Sequence, residues 1–153
     1  MTRTRLILLA AGGSAALLAG AFFFQALGYA PCKLCLWQRW PHGAAILIGA
    51  LALIIRLPLL AWLGALAAAA TGGLGIYHTG VERGFWPGPD TCTSGGDIGN
   101  LTAAQLLEQI NQAPLIRCDE VAWEFLSLSM ASWNAILSFA LAAIWIMAAR
   151  KTR

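Results

Sequence analysis

Charge is scarce in this sequence. Charged residues make up 11% of its 153 positions, against roughly 25% in a soluble globular domain. That shortage excludes an ordinary water-soluble enzyme, and it leaves no extended basic face of the kind that binds nucleic acid. Acids are missing altogether outside one stretch: all seven (Glu82, Asp90, Asp97, Glu108, Asp119, Glu120 and Glu124) fall between Gly80 and Phe125. A second domain and an internal repeat are absent too. What the chain has instead is apolar surface, with 59% hydrophobic residues and a mean hydropathy of +0.68. No single core of a chain this short hides so much of it, so lipid is the expected solvent.

A bilayer core of about 30 Å takes roughly 20 mostly apolar helical residues. Segments 6–27, 57–77 and 126–149 meet that length without a single charge. A fourth, Pro41 to Ile55, is short before Arg56 and spans only if its helix starts upstream, which gives 36–55 and brings Gln38, Arg39 and His42 into one end. Between the second and third spans stands only Arg56-Leu57-Pro58, and proline suits the first turn of a new helix. The expected fold is therefore all-α: one integral membrane domain, a four-helix bundle of two antiparallel hairpins, with external loops at 28–35 and 78–125.

Arg3, Arg5, Arg56, Arg150, Lys151 and Arg153 gather on one side with no acid among them, the pattern of a cytoplasmic face. Both termini then lie inside, while the acids and all four cysteines lie outside. A cleaved signal peptide over the first apolar segment is the competing reading. That segment exceeds the roughly 7–15 residues of a signal core, and Gly12, Ala16 and Gly20 form a small-residue stripe suited to helix packing. In the long loop, Thr102-Ala103-Ala104-Gln105 fits a capping box, and Leu101, Ala104, Leu107 and Ile110 recur at helical spacing, so a short amphipathic surface helix is expected. The Pro- and Gly-rich run from Trp86 to Gly96 reads as turns. Trp37, Trp40, Trp86 and Trp123 sit near the outer boundary, as in an aromatic belt.

The cysteines admit three chemistries. A zinc site favours two close pairs, and here Cys32-Lys33-Leu34-Cys35 is close while Cys92 and Cys118 are far apart in sequence. Two static disulfides suit an oxidising compartment. Redox catalysis is favoured by the neighbours of Cys35: a Cys-x-x-Cys pair at a helix start gains thiolate stabilisation from free backbone N–H groups. Arg39, four residues on, shares the face of Cys35 and keeps its charge. Such an arginine at the hydrocarbon edge is costly and tends to be functional, the alternative being a snorkelling lipid anchor. A thiolate beside a cation facing lipid points to a lipid-soluble two-electron acceptor, and a quinone fits. No metal is expected.

Three motifs then carry a resemblance over nearly the whole chain. Pro31-Cys32-Lys33-Leu34-Cys35-Leu36-Trp37-Gln38-Arg39 is similar to the first-loop motif of the DsbB family, Pro87-Gly88-Pro89-Asp90-Thr91-Cys92 resembles its approach to the third cysteine, and Cys118 through Trp133 resembles its entry to the last helix. Proteins resembling vitamin K epoxide reductase place the Cys-x-x-Cys after the loop cysteines, whereas here it comes first. The resemblance implies a bacterial inner-membrane thiol:quinone oxidoreductase that reoxidises a periplasmic DsbA-like thiol oxidase, with ubiquinone or menaquinone from the membrane pool as acceptor. It further implies that Cys92 and Cys118 form the disulfide attacked by the partner, at Cys92. Cys32 and Cys35 would form the second, with Cys32 exchanging with Cys118, Cys35 facing the quinone and Arg39 orienting it. His78 aligns with a histidine near the family's quinone site, and a satisfied interfacial histidine is the alternative. Gln25 and Asn134 read as helix-packing hydrogen bonds, and His42 carries no assigned role. A non-enzymatic scaffold with two structural disulfides, or a family paralogue serving a dedicated partner, would carry the same motifs.

Overall fold

The computed structural model describes residues 1–89, 102, 104, 107 and 116–151. Four helices dominate them: α1 (Arg3–Ala26), α2 (Lys33–Ile54), α3 (Pro58–Glu82) and α4 (Met130–Arg150). The expected all-helical bundle is thus the observed fold. Helices α1, α3 and α4 are long and apolar enough to cross a membrane. Helix α2 matches them in length at 22 residues, but its first two turns hold Lys33, Gln38 and Arg39.

Local chemistry sets the helix ends. Thr2 caps α1 through its hydroxyl, which accepts from the N–H of Arg5, and Cys32 caps α2 with its sulfur, which accepts from the N–H of Cys35 at 3.3 Å. Leu57 is extended and Pro58 opens α3, as the turn residues require. Helices α1 and α2 each begin three residues earlier than expected, at Arg3 and Lys33, and two other ends differ more. Helix α3 runs on to Glu82, so His78 is inside the helix rather than beyond it. Helix α4 starts at Met130 rather than at 126, because β1 (Glu124–Phe125) and β2 (Leu128–Ser129) pair antiparallel ahead of it. The turn between them puts Leu126 and Ser127 at φ of 53° and 60°, a left-handed pair suited to a tight hairpin and incompatible with a continuing helix. Ser129 then caps α4 by accepting from the N–H of Ser132.

The helices meet where side chains are small. Trp145 of α4 is fully buried, and its indole occupies the space left by Gly64 of α3, where an added Cβ would stand 2.6 Å from the ring. Ala61, Ala65 and Ala68 of α3 surround it with Leu6, Ile7 and Ala10 of α1. Close backbone approach and dispersion hold such a bundle, since lipid offers apolar side chains nearly the same solvation as a core does. The stripe Gly12, Ala16, Gly20 does not pack in this way. A Cβ at Gly12 or Gly20 would meet nothing within 4 Å, while Ala16 and Gly20 line a cavity. At the basic end, Arg3 donates from both terminal nitrogens to the carbonyls of Arg56 and Leu57, at 3.0 and 2.8 Å, and Lys151 donates to the carbonyl of Met1. The amphipathic surface helix expected around 101–110 lies outside the described residues except for Thr102, Ala104 and Leu107.

Candidate redox-active site

At the end of the bundle opposite the clustered basic residues, the start of α2 faces the last turns of α3. The Cys32 and Cys35 sulfurs lie 2.9 Å apart as free thiols, within hydrogen-bond reach. Cys32 is buried, packed with Leu34 and Val81 and flanked by Ile116 and Cys118. Its hydrogen bond to the Cys35 sulfur, and then its burial, push the Cys32 thiol well above the ordinary thiol range. That assigns the proton to Cys32 when the pair shares one, and leaves Cys35 as the sulfur that ionises more easily.

His78 stands behind the pair, with Nε2 at 3.5 Å from the Cys32 sulfur. Its tautomer is set by a chain of amides. Asn134 Nδ2 donates to Gln38 Oε1 at 2.7 Å, so the Gln38 amide nitrogen faces His78 Nδ1 at 2.9 Å and donates to it. The His78 proton therefore sits on Nε2, pointing toward sulfur. Gln38 Nε2 also donates to the backbone carbonyl of Leu34, which fixes the amide orientation, and Thr71 donates to the backbone carbonyl of Gln38. His42 Nε2 lies 2.9 Å from Asn134 Oδ1, the other end of the same chain.

Arg39 is held by α1: it donates to Gln25 Oε1 at 2.6 Å and to the carbonyl of Ala21 at 3.3 Å, with its guanidinium 4.8 Å from the centre of the Phe22 ring. The positive charge of the guanidinium reaches a cavity of about 480 Å³ that Arg39 lines together with Cys32, Cys35, His42, His78 and Asn134. The apolar share of its wall comes from residues such as Leu17, Phe24 and Trp133. Trp123 packs on Phe24 at 5.1 Å between centroids, so the segment after Cys118 folds back over the end of α1. On the other flank, Tyr77 donates to the carbonyl of Pro87 and stacks on Trp86. This fold-back brings Gly88 against Val81, with an added Cβ only 3.9 Å from that of Cys118. The approach to Cys92 thus runs beside Cys118, while Cys92 itself lies outside the described residues. Outside the bundle, Arg117 pairs with Asp119 and holds its carboxyl below the usual carboxylate range.

Cys32, Cys35 and His78 bring their donor atoms within 4.8 Å of one another. Three ligands fall short of the four that a closed structural zinc site uses.

The family described as Disulfide bond formation protein DsbB matches residues 3–148 of this chain. The chain belongs to the DsbB family. Its relatives include Disulfide bond formation protein B of Vibrio cholerae, 31% identical over 131 residues that cover 78% of this chain and 72% of that protein. The protein of the same name from Psychrobacter arcticus is 34% identical over 130 residues, covering 76% and 70%. That of Aromatoleum aromaticum is 29% identical over 144 residues, covering 88% and 84%. No solved structure matches. As a member of the DsbB family the chain is a disulfide bond formation protein of the inner membrane.

Among the residues expected at the site, the described ones, Cys32, Cys35, Cys118, Arg39 and His78, converge. Gln38, Thr71, Asn134 and Glu82 join them at the site. Three of these four are uncharged polar residues facing inward within apolar helices, an expensive placement that itself points to function. Glu82 reads from sequence as one of the loop acids, and only the extension of α3 carries it into the site.

Proposed function

We propose that this DsbB family member is a thiol:quinone oxidoreductase that reoxidises a DsbA-like periplasmic dithiol protein. Electrons pass from the partner to Cys92 and Cys118, then to Cys32 and Cys35, and finally to a quinone of the membrane pool. The observation that carries this reading is the placement of the Cys32 and Cys35 thiols on the wall of a partly apolar cavity that also holds Arg39. A volume of about 480 Å³ lies in the range of small-molecule sites, roughly 300–1,000 Å³. Its donor set also suits a quinone head: Arg39 supplies hydrogen bonds that cannot be lost by deprotonation, and aromatic and aliphatic walls suit the ring. The bound quinone would accept the electron pair and two protons.

The chain's own residues do the rest. Cys118 beside Cys32 permits exchange between the two disulfides without a large movement. The helix start and Arg39 favour a thiolate at Cys35, while the Nε2–H of His78 steadies the Cys32 sulfur. In this orientation the basic end faces the cytoplasm and the cysteines face the periplasm. The partner DsbA is a strong oxidant at about −120 mV, which a thiol pool such as glutathione cannot regenerate.

The deciding experiment mixes purified protein with reduced DsbA-like partner and with ubiquinone or menaquinone, following partner thiols and quinone absorbance together. Stoichiometric loss of both is expected. Thiol loss without quinone reduction, or no thiol loss, would overturn the assignment and favour a scaffold with structural disulfides.

A further inference from the structure

Glu82 is a carboxyl that the relay just described does not use. It occupies the last turn of α3, its side chain is only 6% exposed, and it lines the same cavity as the thiols. One oxygen lies 3.9 Å from His78 Nε2, and the other accepts from the hydroxyl of Ser129. The fixed tautomer of His78 aims its single N–H toward the Cys32 sulfur, the backbone carbonyl of Cys118 and the Glu82 carboxylate. A thiolate at Cys35 and a carboxylate at Glu82 would be two like charges on the wall of one cavity, and a buried pair of like charges drives one of them to take a proton.

The surrounding charges sharpen the point. Arg39 is bound by neutral acceptors, Gln25 Oε1 and Ala21 O, so its positive charge is left to balance one anion of the cavity. Arg117 and Glu120, also on the cavity wall, lie 3.6 Å apart, and Asp119 takes the same guanidinium, so Arg117 is committed to two acids and leaves no positive charge over for Glu82 or the thiols. Arg83 follows Glu82 at the exposed end of α3, and His42 on α2 faces the neutral Asn134.

On the reading that Cys32 and Cys35 cycle between disulfide and dithiol, we propose that Glu82 stores one proton while the pair is reduced, so that the site carries one anion in either state. When the pair is a disulfide the anion is the Glu82 carboxylate. When it is reduced the anion is the Cys35 thiolate. The balance closes: the partner's two thiols are oxidised to a disulfide and the Cys32–Cys35 disulfide is reduced. Of the two protons released, one goes to the Cys32 sulfur and the other to the Glu82 carboxylate, which leaves Cys35 as thiolate. The Glu82 proton then stands at the cavity wall, ready for the oxidation that returns the pair to a disulfide.

The test uses the full chain, freed of quinone and reduced with dithiothreitol. Infrared difference spectra between disulfide and dithiol states should show a protonated-carboxyl band that appears on reduction, is missing in Glu82→Gln and shifts in Glu82→Asp. Thiolate ultraviolet absorbance of the reduced wild type should be flat across neutral pH, because the proton only moves within the site. Glu82→Gln fixes that side chain in its neutral form and leaves Arg39 in place, so it should hold the thiolate over the same pH range as the wild type. A wild-type spectrum without the band, or a wild-type thiolate that takes up its proton at higher pH than that of Glu82→Gln, would overturn the proposal. The wild-type spectrum decides even if Glu82→Gln fails to fold. Addition of quinone to the reduced wild type tests the underlying relay separately: failure to reoxidise the pair would sink that reading whatever the infrared result.

Discussion

The two halves of the bundle are built on opposite rules. The half near the basic residues is held by shape: Trp145 fills the notch at Gly64 among alanines, with no side-chain to side-chain hydrogen-bond network among the described residues. The half near the cysteines is held by hydrogen bonds that run from His78 through Gln38 and Asn134 to His42, with Thr71 and Ser138 at the side. In lipid, small residues let backbones approach and are cheap, whereas buried polar groups are expensive unless paired. The contrast teaches where the molecule spends stability on chemistry, and it predicts that mutations in the two halves fail differently.

The sharpest separation is expected from Cys35→Ser. Partner-driven quinone reduction should fall by at least about a thousandfold, equivalent to roughly 4 kcal/mol of barrier, while circular dichroism and melting stay as in the wild type. Residual turnover within tenfold of wild type would take Cys35 out of the electron path. Trp145→Ala should do the reverse, costing about 3–5 kcal/mol of stability and leaving per-molecule activity at low temperature near normal. Its check is a denaturant titration in detergent beside an active-site count. Asn134→Ala lies between the two, because it strips Gln38 Oε1 of its donor and His42 Nε2 of its acceptor. A loss of about 1–3 kcal/mol is expected, and activity should fall too, since the Gln38 amide is then free to flip and release the His78 tautomer. Wild-type activity in Asn134→Ala would show that the network serves packing alone.

The smallest effect is expected outside both halves. Arg117→Ala removes a solvent-screened surface pair with Asp119 and should shift stability less than either Trp145→Ala or Asn134→Ala. The Asp119 carboxyl is held below its ordinary range by that guanidinium, so the pair's contribution is present above the unfolded-state value and fades as pH falls through the lowered folded value. A melting curve of the variant that parallels wild type down to mildly acidic pH checks this.

Much of this division was legible in the residues. Charge-free runs of about the right length located the helices, and the Cys-x-x-Cys at a helix start with Arg39 one turn on located the site. Two things were not legible, for physical reasons. Helix ends depend on caps and turns formed by tertiary contact: the left-handed pair at Leu126 and Ser127 delays α4, and nothing in their own preferences announces it. Inward polar residues such as Gln38 and Asn134 look like isolated packing bonds until two helices bring them 2.7 Å apart. The stripe at Gly12, Ala16 and Gly20 taught the converse, since smallness served a cavity rather than a helix contact.

The guanidinium of Arg3 carries one more consequence. It bridges the carbonyl of Arg56 in the α2–α3 turn and that of Leu57, which also accepts the N–H of Leu60 at the start of α3. A residue counted as a positive charge for membrane orientation is therefore also a fastener between the first helix and the turn of the second hairpin. Engineering that inverts the protein in the membrane by relocating its basic residues would, on removing Arg3, unfasten that turn as well. A reversed chain would need a new donor for both carbonyls before its orientation and its assembly could be judged apart.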